Sequence, residues 1–299
     1  MNKSKLELFK TILTLEQQEL HDFLYEFLQE YYTETELLEI DNNFLFARGD
    51  IKICLVAHLD TVHRIKPSEE SIFYDQEKYV MWSPHGIGGD DRCGVFIIIN
   101  LIMHGYKPYV LFTWNEEVGG LGAKHAAEVM KPKLDFLIQF DRRGSKEAVY
   151  YDLDAPDFED YINSFGFETK WGTYTDICEL APEWGCAAVN LSAGYDKEHT
   201  SSEMISLLVL NDTLQKAAKI LEAQKTERRS FPFVESTYIH TPTSSSINSY
   251  PCYSCQKLFF WESLNDMGVC TECQRRSKSS LSFYKKLSRR ELPYDTIID

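Results

Sequence analysis

Ile51-Lys52-Ile53-Cys54-Leu55-Val56-Ala57-His58-Leu59-Asp60 is an almost unbroken apolar run that stops on a histidine and an aspartate. Apolar residues without polar alternation mark a strand buried on both faces, the habit of parallel sheets covered by helices. The pattern recurs. Tyr109-Val110-Leu111-Phe112-Thr113 runs into Trp114-Asn115-Glu116-Glu117-Val118-Gly119-Gly120. Leu134-Asp135-Phe136-Leu137-Ile138-Gln139-Phe140 runs into Asp141-Arg142-Arg143-Gly144, and Cys186-Ala187-Ala188-Val189-Asn190-Leu191 runs towards Tyr195-Asp196-Lys197-Glu198-His199. Helical stretches at 96–104, 123–130 and 158–165 separate these strands, and a strongly periodic helix at 207–223 closes the region. Strands alternating with helices predict an α/β fold of three layers, with a mostly parallel central sheet and helices on both faces. A helix over 6–32, restarted by a capping box of Thr14 and Gln17, precedes the sheet. Short strands at 43–48 and 79–83 and a polar loop at 61–78 complete the reading.

The chain of 299 residues carries a net charge of −15. That excess argues against nucleic acid or an anionic membrane as the main partner of its body. No apolar signal-peptide core follows Met1-Asn2-Lys3-Ser4-Lys5-Leu6, and the longest apolar stretch, 95–103, is too short to span a bilayer. Four of the eight cysteines form paired Cys-x-x-Cys patterns and the others are scattered in apolar runs. This usage predicts metal binding in a reducing cytoplasm rather than a disulfide framework.

Ligand sites of open α/β sheets lie beyond the carboxyl ends of strands. Here those ends carry His58, Glu116-Glu117, Asp141 and, a few residues late, His199. Asp60 lies two residues beyond His58 on an extended chain, so both side chains point the same way. A carboxylate so placed can hold one imidazole nitrogen and leave the other for a metal, although His-x-Asp is also an ordinary surface pair. In His85-Gly86-Ile87-Gly88-Gly89-Asp90-Asp91-Arg92-Cys93-Gly94 the glycines permit a tight turn, and the aspartates could serve either as ligands or as a helix cap. The stretch lacks the Gly-Lys-Ser/Thr of a phosphate-binding loop. Adjacent glutamates repel unless a cation or a shared proton relieves them. Together these residues put two imidazoles and several carboxylates at one edge of one sheet, the inventory of a metal site.

Taken in order, Ala57-His58-Leu59-Asp60-Thr61, Gly89-Asp90-Asp91-Arg92-Cys93-Gly94, Glu116-Glu117-Val118-Gly119, Asp141-Arg142 and residues 195–200 resemble the zinc-dependent exopeptidases with a dinuclear site, which include peptidase T and related aminopeptidases. The resemblance extends from about the first helix to Ala223. It implies that His58, Asp90 and Asp141 hold one zinc, and that Asp90, Glu117 and His199 hold the other, with Asp90 bridging. It further implies that Asp60 orients His58, that Glu116 is the general base and that a cis peptide joins Asp90 to Asp91. The implied activity is hydrolysis of peptide bonds by zinc-activated water, in an aminopeptidase or di/tripeptidase. Cobalt or manganese can occupy such ligands. The same site could instead cleave N-acyl or other small amides. Some relatives carry a lid or dimerisation domain between the positions of Asp141 and His199, and others an inserted domain between those of His58 and Asp90. Both intervals are too short for either here, which implies the compact form.

Thr241-Pro242-Thr243-Ser244-Ser245-Ser246 has linker composition. Beyond it, Cys252, Cys255, Cys270 and Cys273 stand as two Cys-x-x-Cys pairs with the spacing of a structural Cys₄ zinc, whose binding would supply the folding energy of a small zinc ribbon. Two redox pairs are the other reading of that spacing. Arg275, Arg276, Lys278, Lys285, Lys286, Arg289 and Arg290 reverse the charge of the body. They form either a solvated tail or an arm for nucleic acid or a protein partner, which would make the chain a binding module. The expected organisation is a catalytic domain at 1–224, a linker at 225–250, a zinc-ribbon-like module at 251–275 and a basic tail at 276–299.

Overall fold

The structure is a computed structural model that describes residues 3–40, 42–236, 249–251 and 258–260. The chain divides into two units, Met1–Thr237 and Tyr238–Asp299. The first opens with helices α1 (Lys3–Thr14) and α2 (Gln17–Gln29), followed by strands β1 (Leu37–Ile40), β2 (Phe44–Ala47), β3 (Ile51–His58), β4 (Phe73–Asp75) and β5 (Val80–Trp82). Helix α3 (Gly89–Met103), β6 (Pro108–Thr113), α4 (Leu121–Val129), β7 (Phe136–Arg142), β8 (Glu147–Val149), α5 (Pro156–Asn163), β9 (Glu168–Lys170) and α6 (Asp176–Trp184) come next. The unit ends with β10 (Ala188–Ser192), β11 (Tyr195–Asp196), β12 (Met204–Ser206) and α7 (Leu207–Thr226).

The main sheet runs in the order β1-β2-β6-β3-β7-β10-β8-β9. Its centre, β6-β3-β7-β10, is parallel, and antiparallel pairing enters through β1, β2 and β8. The unbroken apolar run from Ile51 is β3, in the middle of this block. Its residues alternate between two cores. Ile53, Leu55 and Ala57 join the apolar residues of α1, α2, α3, α5 and α7, whereas Cys54 and Val56 join those of α4 and α6. Helices therefore cover both faces, and the continuous hydrophobicity of β3 follows from having no wet side. Helix α3 is buried along almost its whole length, as a helix apolar all round must be.

The helix restart differs from the expected one. Leu15 N–H still bonds Thr11 O at 3.3 Å, and the Thr14 hydroxyl turns back to Thr11 O at 2.9 Å, so Thr14 completes α1. The capping box belongs to Glu16 and Glu19, with Glu16 N–H donating to Glu19 Oε2 at 2.8 Å. Part of the expected polar loop at 61–78 is ordered as well. It contains β4, which joins β5, β12 and β11 in a second, four-stranded sheet of order β11-β12-β5-β4. Strands of two or three residues are too short to show a period of two.

The close approach of Gly122 holds α4 against the end of β6. A Cβ there would stand 2.2 Å from Asn43 O and 2.6 Å from Trp114 N, both backbone atoms. Gly122→Ala is expected to destabilise the unit by about 2–3 kcal/mol, because backbone cannot move aside as a side-chain tip can. Denaturant unfolding measures this, and an unchanged midpoint would show that the backbone yields.

Residues past α7 still pack on this unit. Phe231 O accepts from Ala187 N at 2.8 Å, and its ring lies 5.0 Å from that of Phe158 and 5.4 Å from that of Tyr161. Among the described residues no helix is long and apolar enough to cross a membrane. In the second unit β13 (Ser249–Pro251) pairs antiparallel with β14 (Leu258–Phe260). These strands bracket Cys252 and Cys255 in sequence, but those two, Cys270, Cys273 and the basic tail at 276–299 lie outside the described residues.

Candidate metal centre

His58 is the last residue of β3, and Asp141 lies in β7, the next strand. Strand β7 runs past Phe140, where the sequence pattern ends it, because Asn190 of β10 pairs with the backbone of Asp141. Its Oδ1 accepts Asp141 N–H at 2.8 Å and its Nδ2 donates to Asp141 O at 2.7 Å. The peptide between Asp90 and Asp91 is cis, as the resemblance implies. The two aspartates divide the roles that the sequence left open. Asp91 caps the helix: its Oδ1 accepts Gly94 N–H at 2.9 Å, and its Oδ2 accepts His58 N–H at 3.2 Å. Asp90 faces the strand ends.

The two oxygens of Asp90 point to different imidazoles. Oδ1 lies 3.0 Å from His58 Nε2, which is 3.6 Å from Asp141 Oδ1. Oδ2 lies 3.1 Å from His199 Nε2, which is 3.1 Å from Glu117 Oε1. Donor atoms of His58, Asp90 and Glu117 all fall within 4.8 Å of one another, and this set could hold a metal ion. His58, Asp91 and Asp141 make a second such set, but both Asp91 oxygens are already engaged by backbone N–H groups. Glu117 Oε1 is buried with no aligned hydrogen-bond partner, as fits a donor reserved for a cation. His199 takes a left-handed φ of 61°, uncommon outside glycine. Its side chain is 52% exposed, so the centre opens to solvent on that flank.

A second layer of side chains holds these donors. Asp60 accepts Glu116 N–H on Oδ1 and Glu117 N–H on Oδ2, each at 3.0 Å, and stands 3.3 Å from His58 Nδ1 without hydrogen-bond alignment. It thus braces both the histidine and the glutamate loop. The hydroxyls of Tyr195 and Thr175 donate to Asp141 Oδ1 and Oδ2 at 3.0 and 2.5 Å. Glu203 is fully buried and binds Gly88 N–H at 2.7 Å, Asp90 N–H at 3.0 Å and His63 Nε2 at 2.6 Å. Glu203, Asn190, Thr175 and the structural role of Tyr195 were missed from sequence. A polar residue inside a buried strand such as β10 was the available signal for Asn190.

Carboxylates dominate the electrostatics. Burial disfavours a charged His58 ring, but Asp141, Asp60 and Asp90 outweigh it and lift its pKa well above the usual value. The carboxylates of Asp90 and Glu117, each 3.1 Å from its ring, raise His199 to about 11. Glu116 is pushed up to about 9 by burial, with His58 opposing and Asp141, Asp176 and Glu117 adding. Among the described residues the Glu116 carboxylate has no hydrogen bond or ion pair, and it belongs to neither donor set. The centre thus concentrates more negative charge than its own cations balance.

No protein-family model and no curated protein matches the chain. Solved structures do. An aminopeptidase PepT from Bacillus cereus superposes with a TM-score of 0.61 at 13% identity, covering 73% of this chain and 97% of its own. A tripeptidase from Staphylococcus aureus gives 0.58 at 14%, covering 75% and 98%. A TET aminopeptidase from a marine-sediment thaumarchaeote also gives 0.58 at 14%, covering 74% and 97%. At such identities the likeness is one of fold.

Proposed function

We propose that the chain is a dinuclear metal-dependent exopeptidase, an aminopeptidase or di/tripeptidase acting on short peptides in the cytoplasm. The carrying observation is Asp90, whose Oδ1 faces His58 and whose Oδ2 faces His199. A tetrahedral ion with ligand bonds of about 2.0–2.1 Å needs donors about 3.3 Å apart, close to the 3.0–3.6 Å separations of these atoms. His58, Asp90 and Asp141 would hold one zinc, and Asp90, Glu117 and His199 the other. Such ions, when bound, polarise a carbonyl and lower the pKa of water.

The chain's own residues supply the rest. Asp60 fixes His58 and, through two backbone N–H groups, the glutamate loop. Glu117 spends its carboxylate on the donor set, which leaves Glu116 unpartnered beside it. Neighbouring divalent charge would oppose the burial that raises the Glu116 pKa and favour the ionised base. Glu116 can then take a proton from water and return it to the leaving amine. The aminopeptidases and tripeptidase that share the fold support this choice of bond. Free Cys54, Cys93, Cys178 and Cys186 fit a reducing compartment.

The test is a panel of free-amine and N-acetylated peptides offered to the zinc-loaded chain. Free-amine peptides should be cleaved, and a chelator should stop the reaction until zinc is restored. Cleavage of N-blocked substrates alone would replace the aminopeptidase reading with N-acyl amide hydrolysis.

A further inference from the structure

A cavity of about 410 Å³ opens on the exposed flank of the centre, with His199 as one of its walls. That size falls within the about 300–1,000 Å³ of small-ligand sites. The loop after β3 supplies Val62, His63, Arg64 and Ile65, and the turn before α3 supplies His85. The charge of this lining is opposite to that of its surroundings. The chain has a net charge of −15, and the metal centre beside the cavity is built from carboxylates, yet none of the residues lining the cavity is acidic.

The basic side chains of the lining differ in their commitments. His199 faces Asp90 and Glu117, and His63 is bound to Glu203. Arg64 and His85 are exposed, and among the described residues neither has a hydrogen bond or ion pair. Val62 and Ile65 are 41% and 58% exposed and offer an apolar wall beside them. A guanidinium presents paired N–H donors in a fork that matches a carboxylate. Resting on the peptidase reading above, we infer that this cavity receives a carboxylate of the substrate, with Arg64 as its partner. The carboxylate is either the C-terminus of a short peptide or an acidic side chain next to the scissile bond. Arg64 is then a specificity residue, acting on binding rather than on bond cleavage.

Steady-state kinetics of the zinc-loaded full chain tests this, comparing the wild type with Arg64→Met, which keeps length and removes charge. Ala-Ala-Ala against its C-terminal amide reads the terminal carboxylate, and Glu-Ala-amide against Leu-Ala-amide reads an acidic side chain. Arg64→Met should raise KM for the carboxylate member of one pair about 10- to 100-fold, as expected for a lost charge-assisted hydrogen bond. Its kcat, and both constants for the neutral member, should stay within about twofold. Arg64→Lys should recover part of the loss. Equal effects on both members, or none, overturn the assignment.

A binding measurement separates this inference from the function it rests on. Calorimetry of Ala-Ala and Ala-Ala-amide on the zinc-loaded Glu116→Gln chain, with and without Arg64→Met, reads the cavity without turnover. Carboxylate selectivity that depends on Arg64, together with a zinc-loaded wild-type chain that cleaves no peptide, keeps the cavity and removes the peptidase reading. Cleavage without such selectivity does the reverse.

Discussion

Glu116→Gln is expected to abolish peptide hydrolysis while leaving bound metal unchanged. The glutamine keeps the volume of the side chain and loses only its capacity to hold a proton. Positioned acid–base groups contribute about 10²- to 10⁴-fold, so kcat should fall by at least about 10² with little change in KM. Metal should stay because the Glu116 carboxylate belongs to neither donor set, whereas its neighbour Glu117 does. The backbone N–H groups that Asp60 holds are untouched by the exchange. Initial rates on a cleaved peptide, alongside elemental analysis of the same sample, measure both halves. Wild-type activity in the variant would remove Glu116 as the base. Loss of metal would make it a ligand instead.

Asp90→Ala should do the opposite to metal and the same to activity. One side chain faces both imidazoles, so its removal strips a donor from each set, and both ions and all hydrolysis should be lost. His199→Ala removes a donor from one set and should leave the ion at His58. The fold should survive in either case. Glu203 binds the backbone N–H of Asp90, and Asp91, not Asp90, caps α3. Circular dichroism should therefore overlay on the wild type while the metal content differs. Retention of one ion by Asp90→Ala would show that its carboxylate does not serve both sets.

The two substitutions probe the part of the molecule that the sequence makes most legible. His58, Glu116, Glu117 and Asp141 end long apolar runs, and β3, β6 and β7 must stand side by side because each is buried on both faces. Burial on both faces leaves an unbroken apolar signature that needs no partner to read. Asp90 and His199 were legible only in the company of the others, since a glycine-rich turn and a polar loop carry no period. What escaped was short or indirect. The second sheet is built from strands of two or three residues. Glu203 reaches Asp90 across 113 residues of sequence, and nothing local distinguishes it from a surface glutamate. The capping box lies at Glu16 and Glu19 rather than at Thr14 because the Thr14 hydroxyl is bonded back to Thr11 O within α1. The cavity at Arg64 exists only once the loop after β3 meets the loop that carries His199.

The organisation beyond α7 follows from the same packing. Phe231 packs against Phe158 and Tyr161, so a shortened chain should end at Thr237 rather than at 224 to keep that contact. The Cys₄ module proposed for Cys252, Cys255, Cys270 and Cys273 would add one structural zinc, giving about three per full chain and about two after truncation at Thr237.

Under the proposed function, two ions would share the carboxylate of Asp90. Crystals grown with zinc and measured at the zinc absorption edge test it most directly. The expected result is two anomalous peaks about 3.5–4 Å apart, one against His58 and Asp141, the other against Glu117 and His199, with Asp90 between them. A single peak, or two that do not flank Asp90, would contradict it.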